Sequence, residues 1–170
     1  GGWTPTVHLF TQSKGKLKYR DFDGSFIPEE SFQSTLCVGS CNGDYDLHKI
    51  LELLPSKVIS FLNLKKNIAE EFNYKTNEIL NSNHENIWIT SKEKISKTKM
   101  FVDFQNDVTA KDIKLALKEG FQSIEHVKRY TTTGMATDQG KTSNINALGI
   151  ISELINTNIS ELGTTTFRLP

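Results

Sequence analysis

Short apolar runs separated by polar turns mark the first quarter of the chain. Residues 16–20 alternate polar and apolar side chains, which is the period-two pattern of a half-exposed strand. Residues 7–11 and residues 35–39 are short, mainly apolar runs, and each indicates a further strand. Asp23-Gly24 supplies turn chemistry after the alternating run. The pattern therefore predicts that residues 1–44 are rich in β structure.

The pattern becomes helical after this β-rich part. Apolar residues recur at helix spacing from Leu47 to Leu54, and Pro55 is expected to end the helix. Ser56 is placed to cap a second helix, whose apolar faces continue along the chain. Residues 73–99 are rich in Asn, Lys and Ser. Such a polar and cationic stretch is typical of a solvated hinge.

The densest apolar pattern lies in residues 100–157, which open with a short extended segment. Thr109 and Asp112 fit a capping box, so a helix is predicted to begin there, and Gly120 suits its end. A short helix is expected after Ser123, and a polar loop follows it. The last helix is predicted to bury a stripe formed by Ile145, Leu148, Ile151, Leu154 and Ile155.

Composition and charge narrow the class of protein. The chain has 170 residues, with 20 Lys and Arg against 20 Asp and Glu, so its formal net charge is zero. A general nucleic-acid binder would carry a basic excess. No apolar run approaches the ~20 residues that a membrane-spanning helix needs. Neither nucleic acid nor a membrane is therefore expected as a partner.

The chain ends and the cysteines indicate an internal segment of a cytoplasmic protein. The first five residues lack a charged region followed by an apolar stretch, so they are not a signal peptide. Cys37 and Cys41 are the only cysteines, and His48 lies nearby. A structural zinc site needs four ligands. No metal site is predicted, and reduced thiols are the preferred interpretation.

The strongest chemical signal is the polar segment at residues 128–146. It combines two glycines, several hydroxyls and three cations ahead of a helix N-terminus, where free N–H groups attract phosphate. Gly134 and Gly140 stand one residue too far apart for a P-loop. Two interpretations stay open. The segment is either a contact for a phosphate or cofactor edge, or a structural loop capped by Asp138 or Ser143.

Two long strings in this region resemble a known family. FVDFQNDVTAKD at 101–112 and EHVKRYTTTGMATDQGKTSN at 125–144 resemble the middle region of the α subunit of heterotetrameric sarcosine oxidase. The beginning, GGWTPTVHL, and CNG at 41–43 resemble the late part of that family's dinucleotide-binding domain. The end, GTTTFR, resembles the entry to its folate-binding aminomethyltransferase domain. The resemblance thus covers nearly the whole chain.

The resemblance implies an α+β chain in four parts. Residues 1–54 would be a short, β-rich C-terminal remnant of a dinucleotide-binding domain, and residues 55–99 would be a helix and a polar linker. Residues 100–157 would be a small helical module that resembles a helical [2Fe–2S] domain without its cysteines. Residues 158–170 would link to an aminomethyltransferase-like domain.

The matching positions of that [2Fe–2S] domain carry other residues here. Four cysteines hold the cluster in the related dehydrogenases, and this chain has Asp103, Gln105, Asp138 and Ser143 in their places. Because iron–sulfur clusters are held mainly by thiolates, no cluster is expected. The retained loop suggests contacts with something else.

The resemblance also implies a reaction. Enzymes of this family oxidise sarcosine to glycine and a one-carbon unit that passes to folate, while flavins carry the electrons to oxygen. Flavin mononucleotide (FMN) would lie at the α/β interface, and NAD, FAD and tetrahydrofolate would bind elsewhere in the complex. The partners would be the β subunit and other small subunits. This segment is expected to hold no catalytic residue and to be inactive alone.

A basic, hydroxyl-rich helix entrance suits the phosphate of FMN. The residues expected near that phosphate or at the subunit seam are Lys128, Arg129, Thr132, Thr133, Lys141 and Thr142. Asp138 and Gln139 would brace the loop. Two other functions stay open. One is a non-catalytic scaffold that joins two catalytic domains, and the other is a relative acting on dimethylglycine or another N-methyl amino acid.

Overall fold

The computed structural model describes residues 4–64 and 86–163. These residues belong to two compact units, an N-terminal unit (Thr4–His84) and a helical unit formed mainly by Glu85–Pro170. Helices and two small sheets occur together, so the predicted α+β class is confirmed. Within the described ranges, none of the helices has the length and apolar character needed to cross a membrane.

The N-terminal unit is built around a hairpin. Its elements, in chain order, are α1 (His8–Gln12), β1 (Lys16–Arg20), β2 (Ser25–Glu30), a 3-10 turn (Gly39–Asn42) and α2 (Leu47–Phe61). The strands β1 and β2 pair antiparallel, with Arg20 opposite Ser25. The strand predicted from the alternating pattern is therefore confirmed.

The apolar run at 7–11 forms the helix α1, so the predicted strand is wrong. The N–H of Thr11 donates to the carbonyl of Val7 over 2.9 Å. Val7 and Phe10 are buried, whereas Leu9 is 75% exposed. The buried positions are thus 7, 8 and 10, which is not the strict alternation of a strand. A run of five residues is too short to distinguish the helical period from the strand period, and packing decided between them.

The run at 35–39 does not form the predicted strand. Leu36 is partly exposed, and Gly39 adopts a φ of +70° at the start of the 3-10 turn. A strand requires a negative φ, so the chain turns here instead of adding a strand to the hairpin.

The helix α2 continues through Pro55, so the predicted stop and the second helix are wrong. Pro55 lacks the N–H that would bond to Leu51, but helical bonds resume after it, as Leu62 N–H donates to Val58 O over 2.9 Å. The hydroxyl of Ser56 donates to Leu53 O within the helix and caps nothing. Predicted apolar positions beyond residue 64, as far as Phe72, lie outside the described residues.

Within residues 86–163, the helical unit contains two short strands and four α-helices. They are β3 (Phe101–Asp103), β4 (Val108–Thr109), α3 (Ala110–Lys118), α4 (Ile124–Thr131), α5 (Asn144–Ile155) and α6 (Ile159–Leu162). The predicted capping box is confirmed, because the Asp112 carboxylate accepts the N–H of Thr109 over 2.8 Å. Ser123 precedes α4 as predicted.

The core of the helical unit lies where α3 packs against α4 and α5. Its innermost residues include Ile113, Val127 and Ile151, which have no exposed surface. The predicted α5 stripe is buried at Ile145, Leu148 and Ile151, while its last two residues are half-buried.

Residues 86–99 pack on α5, although their composition suggested a hinge. A Cβ added to Gly149 would lie 2.1 Å from Cδ2 of Trp88, so the indole sits directly against the helix backbone. Lys92 donates to Glu153 O over 2.9 Å, and Ile95 is fully buried. Two of the sparse apolar residues of this stretch, Trp88 and Ile95, are packed in the helical unit, which the polar composition does not reveal.

Candidate functional site

The 131–143 loop, which runs from the last residue of α4 to α5, is held by side chains at the end of β3 and in the turn after it. We call Asp103, Gln105 and Asn106 the clasp. The Asp103 carboxylate is 2% exposed and accepts the N–H of Gly134 over 2.7 Å. It also accepts the N–H groups of Gln105 (2.9 Å) and Asn106 (3.1 Å). One buried carboxylate thus orders the turn and the loop together.

The other two clasp residues bond further along the loop. The side-chain carbonyl of Gln105 accepts the Thr137 hydroxyl over 2.9 Å and the Asp138 N–H over 3.3 Å. The side-chain amide of Asn106 donates to Thr132 O over 2.9 Å. The clasp therefore holds the loop at three places between residues 132 and 138.

Asp138 occupies the anion position ahead of α5. Its carboxylate accepts the N–H groups of Gly140 (3.2 Å) and Thr142 (3.4 Å) and the Thr142 hydroxyl (3.0 Å). The side-chain amide of Gln139 donates to Ala136 O over 2.8 Å. Both residues brace the loop as the sequence predicted. A carboxylate of the chain itself already satisfies N–H groups that a phosphate would otherwise use.

The two loop glycines make room for the start of α5. A Cβ on either Gly134 or Gly140 would lie 2.2 Å from the side-chain oxygen of Asn144. Both glycines also have positive φ values, +68° and +77°. L side chains rarely adopt that conformation, so both the backbone and the close contact with Asn144 require glycine at these positions. This agrees with the structural-loop interpretation.

The predicted hydroxyl ligands are engaged within the loop. Thr133 is buried, and its hydroxyl is 2.7 Å from the hydroxyl of Thr131. The Thr132 hydroxyl donates to Thr131 O, and the Thr142 hydroxyl donates to Asp138. These bonds do not gather the three threonines around one point.

The predicted cations are less engaged. Lys128 and Arg129 lie in the last turn of α4, and Lys141 lies in the loop. Arg129 and Lys141 are exposed, whereas Lys128 is half-buried. The ion pairs found within 4–64 and 86–163 include none of these three side chains. These three cations therefore remain available to a ligand or a partner.

A cavity of about 310 Å³ opens beside the clasp, and none of the six predicted residues lines it. Its walls come from the β3–β4 turn, α3 and the end of α4, and include Asp107, Asp112, Leu115 and Tyr130. Two carboxylates make this cavity unfavourable for phosphate. Sequence reasoning missed it because packing of α3 against α4 creates it, and no local pattern marks that packing.

A second cavity, of about 340 Å³, lies in the N-terminal unit between α2 and the hairpin. Phe22 and Tyr45 contribute aromatic walls, and Lys49 and Lys57 line it from α2. The pKa of the Tyr45 phenol is raised, mainly by burial and to a smaller extent by the nearby Asp23 carboxylate. No sequence motif indicated this cavity.

The described residues contain no group of three or more His, Cys, Asp or Glu arranged to hold a metal ion. Cys37 and Cys41 are unbridged and half-buried. The pKa of the Cys37 thiol is raised, mainly by burial and to a smaller extent by the neighbouring Cys41 thiol. A raised pKa disfavours the thiolate form, which is the form that binds metals. Ser143 is fully buried, and its hydroxyl has no hydrogen-bond partner within the described part of the chain.

The proteins with similar sequences are α subunits of sarcosine oxidase. Residues 97–170 match the family described as the sarcosine oxidase A3 domain. The chain resembles the middle region of the α subunit of sarcosine oxidase. The α subunits of Corynebacterium sp. strain P-1 (30% identity) and strain U-96 (32% identity) align with all of it. The α subunit of Rhizobium meliloti strain 1021 is 61% identical over 72 residues, or 42% of this chain.

The chain spans a small part of these α subunits. It covers 18% of each Corynebacterium subunit and 7% of the Rhizobium subunit. Among solved structures, the L-proline dehydrogenase from P. horikoshii is similar, with a TM-score of 0.69 and 19% sequence identity. The likeness covers 98% of this chain and 35% of that one. At this identity it shows the fold alone.

Proposed function

We propose that this chain is a segment of the α subunit of a multi-subunit sarcosine oxidase. Its similarity over its full length to two such subunits supports the proposal. The complete enzyme would oxidise sarcosine to glycine, pass the one-carbon unit to folate and carry the electrons through flavins to oxygen. This segment supplies no catalytic residue and is inactive alone.

The remaining parts of the enzyme would come from elsewhere. The β subunit and further small subunits would be the partners, in the cytoplasm, and NAD, FAD and tetrahydrofolate would bind outside this segment. Residues 1–54 would be the end of a dinucleotide-binding domain, residues 55–99 a helix and a linker, and residues 100–157 the small helical module. No iron–sulfur cluster belongs to this proposal, since Asp103 and Gln105 bond to the loop instead.

The helical unit would contact the phosphate of FMN at the interface with the β subunit. The observation that carries this role is that Asp103 and Asp138 already accept hydrogen bonds from the loop, while Arg129 and Lys141 stay exposed. The phosphate would therefore meet Lys128, Arg129 and Lys141 through side-chain charge. Thr132, Thr133 and Thr142 would support the loop or contribute at its edge.

A second candidate is a scaffold that joins two catalytic domains and docks the β subunit without touching FMN. One specific observation favours it. Asp138 already fills the anion position ahead of α5, so the loop keeps its shape without a phosphate. The two candidates predict different effects of removing the cations.

The test replaces each cation in the assembled enzyme. With the α subunit coexpressed with its partners, Lys141→Ala and Arg129→Ala should each lower FMN affinity about tenfold, the loss expected for one charge-assisted contact. The measurement is FMN content and fluorescence titration of the purified complex. Lys114→Ala is the matched control, because Lys114 is an exposed cation on α3.

The pattern of results separates the candidates. Normal assembly with weaker FMN binding supports the phosphate contact. Weaker assembly of the β subunit with unchanged FMN affinity in the complex that forms would favour the scaffold. If the variants bind FMN and assemble as Lys114→Ala does, these cations contact neither the phosphate nor the β subunit.

A further inference from the structure

The 131–143 loop contains left-handed backbone conformations that are supported by contacts from outside the loop. Thr132 and Gln139 have φ values of +63° and +50°, in the left-handed region that residues other than glycine rarely adopt. Such conformations persist where surrounding contacts hold them in place. Bonds from another part of the fold therefore help the loop's own hydrogen bonds to hold these conformations.

The clasp bonds fall next to both of these residues. Asn106 bonds to the carbonyl of Thr132 itself, and Gln105 bonds to the N–H of Asp138, the residue before Gln139. The same turn thus supports both left-handed positions from one side.

Asp103 makes the clasp costly to release. Its carboxylate is almost fully buried, and the ion pairs of the described residues do not include it. It is stabilised instead by three backbone N–H groups, one of which belongs to Gly134 in the loop. A buried charge that loses a hydrogen bond is strongly destabilised. Movement of Gly134 away from Asp103 is therefore disfavoured.

The support extends to the exposed cation of the loop. Gln105 holds Asp138, and Asp138 accepts the N–H groups on both sides of Lys141, those of Gly140 and Thr142. A continuous series of hydrogen bonds thus runs from the β3–β4 turn to the backbone that carries Lys141.

We propose that the clasp consists of positioning residues, which set the shape of the 131–143 loop and the place of Lys141 before any ligand or partner arrives. Asp103 is the central residue of this clasp. Its role in FMN binding rests on the proposed function, whereas its role in shaping the loop stands on the hydrogen bonds of the chain itself.

The first part of the test follows backbone exchange in the full chain. Asp103→Asn should speed hydrogen–deuterium exchange at the Gly134 amide about 10- to 100-fold, the effect of weakening a hydrogen bond to a charged group. Asp107→Asn is the matched control, since Asp107 is an exposed carboxylate in the same turn and asparagine tolerates its φ of +52°. The control should change Gly134 exchange less than twofold.

If Asp103→Asn prevents folding, two milder variants replace it. Gln105→Ala should speed amide exchange at Asp138, and Asn106→Ala should speed amide exchange near Thr132. In each case the amide of Val127, in the core of α4, should keep its protection. Unchanged exchange at Gly134 and Asp138 in the folded variants would overturn the clasp.

The second part measures FMN affinity in the assembled enzyme. Asp103→Asn should weaken it about tenfold, whereas Ile113→Val, a core change in α3 outside the loop and the clasp, should leave it unchanged. Faster loop exchange with unchanged FMN affinity would overturn the positioning role. If the wild-type complex binds no FMN, the proposed function fails, and the exchange data still decide whether the clasp shapes the loop.

Discussion

Arg20 and Asp23 form a largely buried ion pair that ties the hairpin to the 3-10 turn. Arg20 Nε donates to Asp23 over 3.0 Å, and Arg20 Nη2 donates to Gly43 O over 3.0 Å. Burial alone would raise the pKa of Asp23, but hydrogen bonds from Arg20 and Ser25 hold it below its ordinary value. From the sequence, Asp23 was predicted only to belong to a turn. The bond from Arg20 to the Gly43 carbonyl could not be predicted, because the two residues are 23 positions apart.

The depressed pKa of Asp23 predicts a pH-dependent stability. The carboxylate stabilises the fold above the unfolded pKa of about 3.9, and this contribution is lost as pH falls through the lower folded pKa. Asp23→Asn should lower the free energy of unfolding by about 1 kcal/mol at pH 7. The deficit should shrink below about pH 4 in urea titrations. Asp21→Asn is the control, and a deficit that stays constant with pH would contradict the prediction.

At the scale of elements, α5 shows a glycine that packing requires. Alanine is a better helix former than glycine by about 1 kcal/mol, so Gly149 in the middle of α5 looks unfavourable from the sequence. The indole of Trp88 occupies the space where a Cβ would stand. The glycine serves the contact between α5 and the segment before β3.

Gly149→Ala should therefore destabilise the protein, against its helix propensity. The expected loss is about 1–3 kcal/mol, typical of overpacking, measured by thermal and urea unfolding. In a Trp88→Ala background, the same change should be neutral or stabilising, because the clash is gone. A double-mutant cycle with no coupling between the two positions would refute the contact.

At the scale of the whole molecule, the chain divides into two compact units. Residues 86–99 belong with the helical unit, since Trp88, Lys92 and Ile95 all contact or lie within it. The family match begins at residue 97, so the packed unit extends further toward the N-terminus than the matched domain. The polar composition of this stretch reflects its exposed side chains.

Ile95 tests this extension. Ile95→Ala in the full chain should lower the free energy of unfolding of the helical unit by about 2–5 kcal/mol, because the residue is fully buried. Faster amide exchange in α5 would show that the loss falls on this unit. Lys94→Ala, at an exposed neighbour, should change stability by less than about 0.5 kcal/mol. Equal effects of the two variants would restore the solvated-hinge interpretation.

Local patterns predicted part of the candidate site. The cations and hydroxyls of the loop, its two glycines and the following helix were recognisable in the sequence, and the bracing by Asp138 was correct. The clasp was not recognisable, because Asp103 and Gly134 are separated by 31 positions. The resemblance singled out Asp103 and Gln105 only as positions without thiolates.

The sequence by itself determined the elements whose signals are local. These include the alternating strand β1, the capping box of α3 and the apolar stripe of α5, where each pattern spans enough residues to define its period. Tertiary structure decided what short or ambiguous segments became. It made a helix of residues 7–11, carried α2 through Pro55 and docked residues 86–99 on α5. It also joined the clasp to the loop, since buried polar groups take whichever partners the packed chain brings within reach.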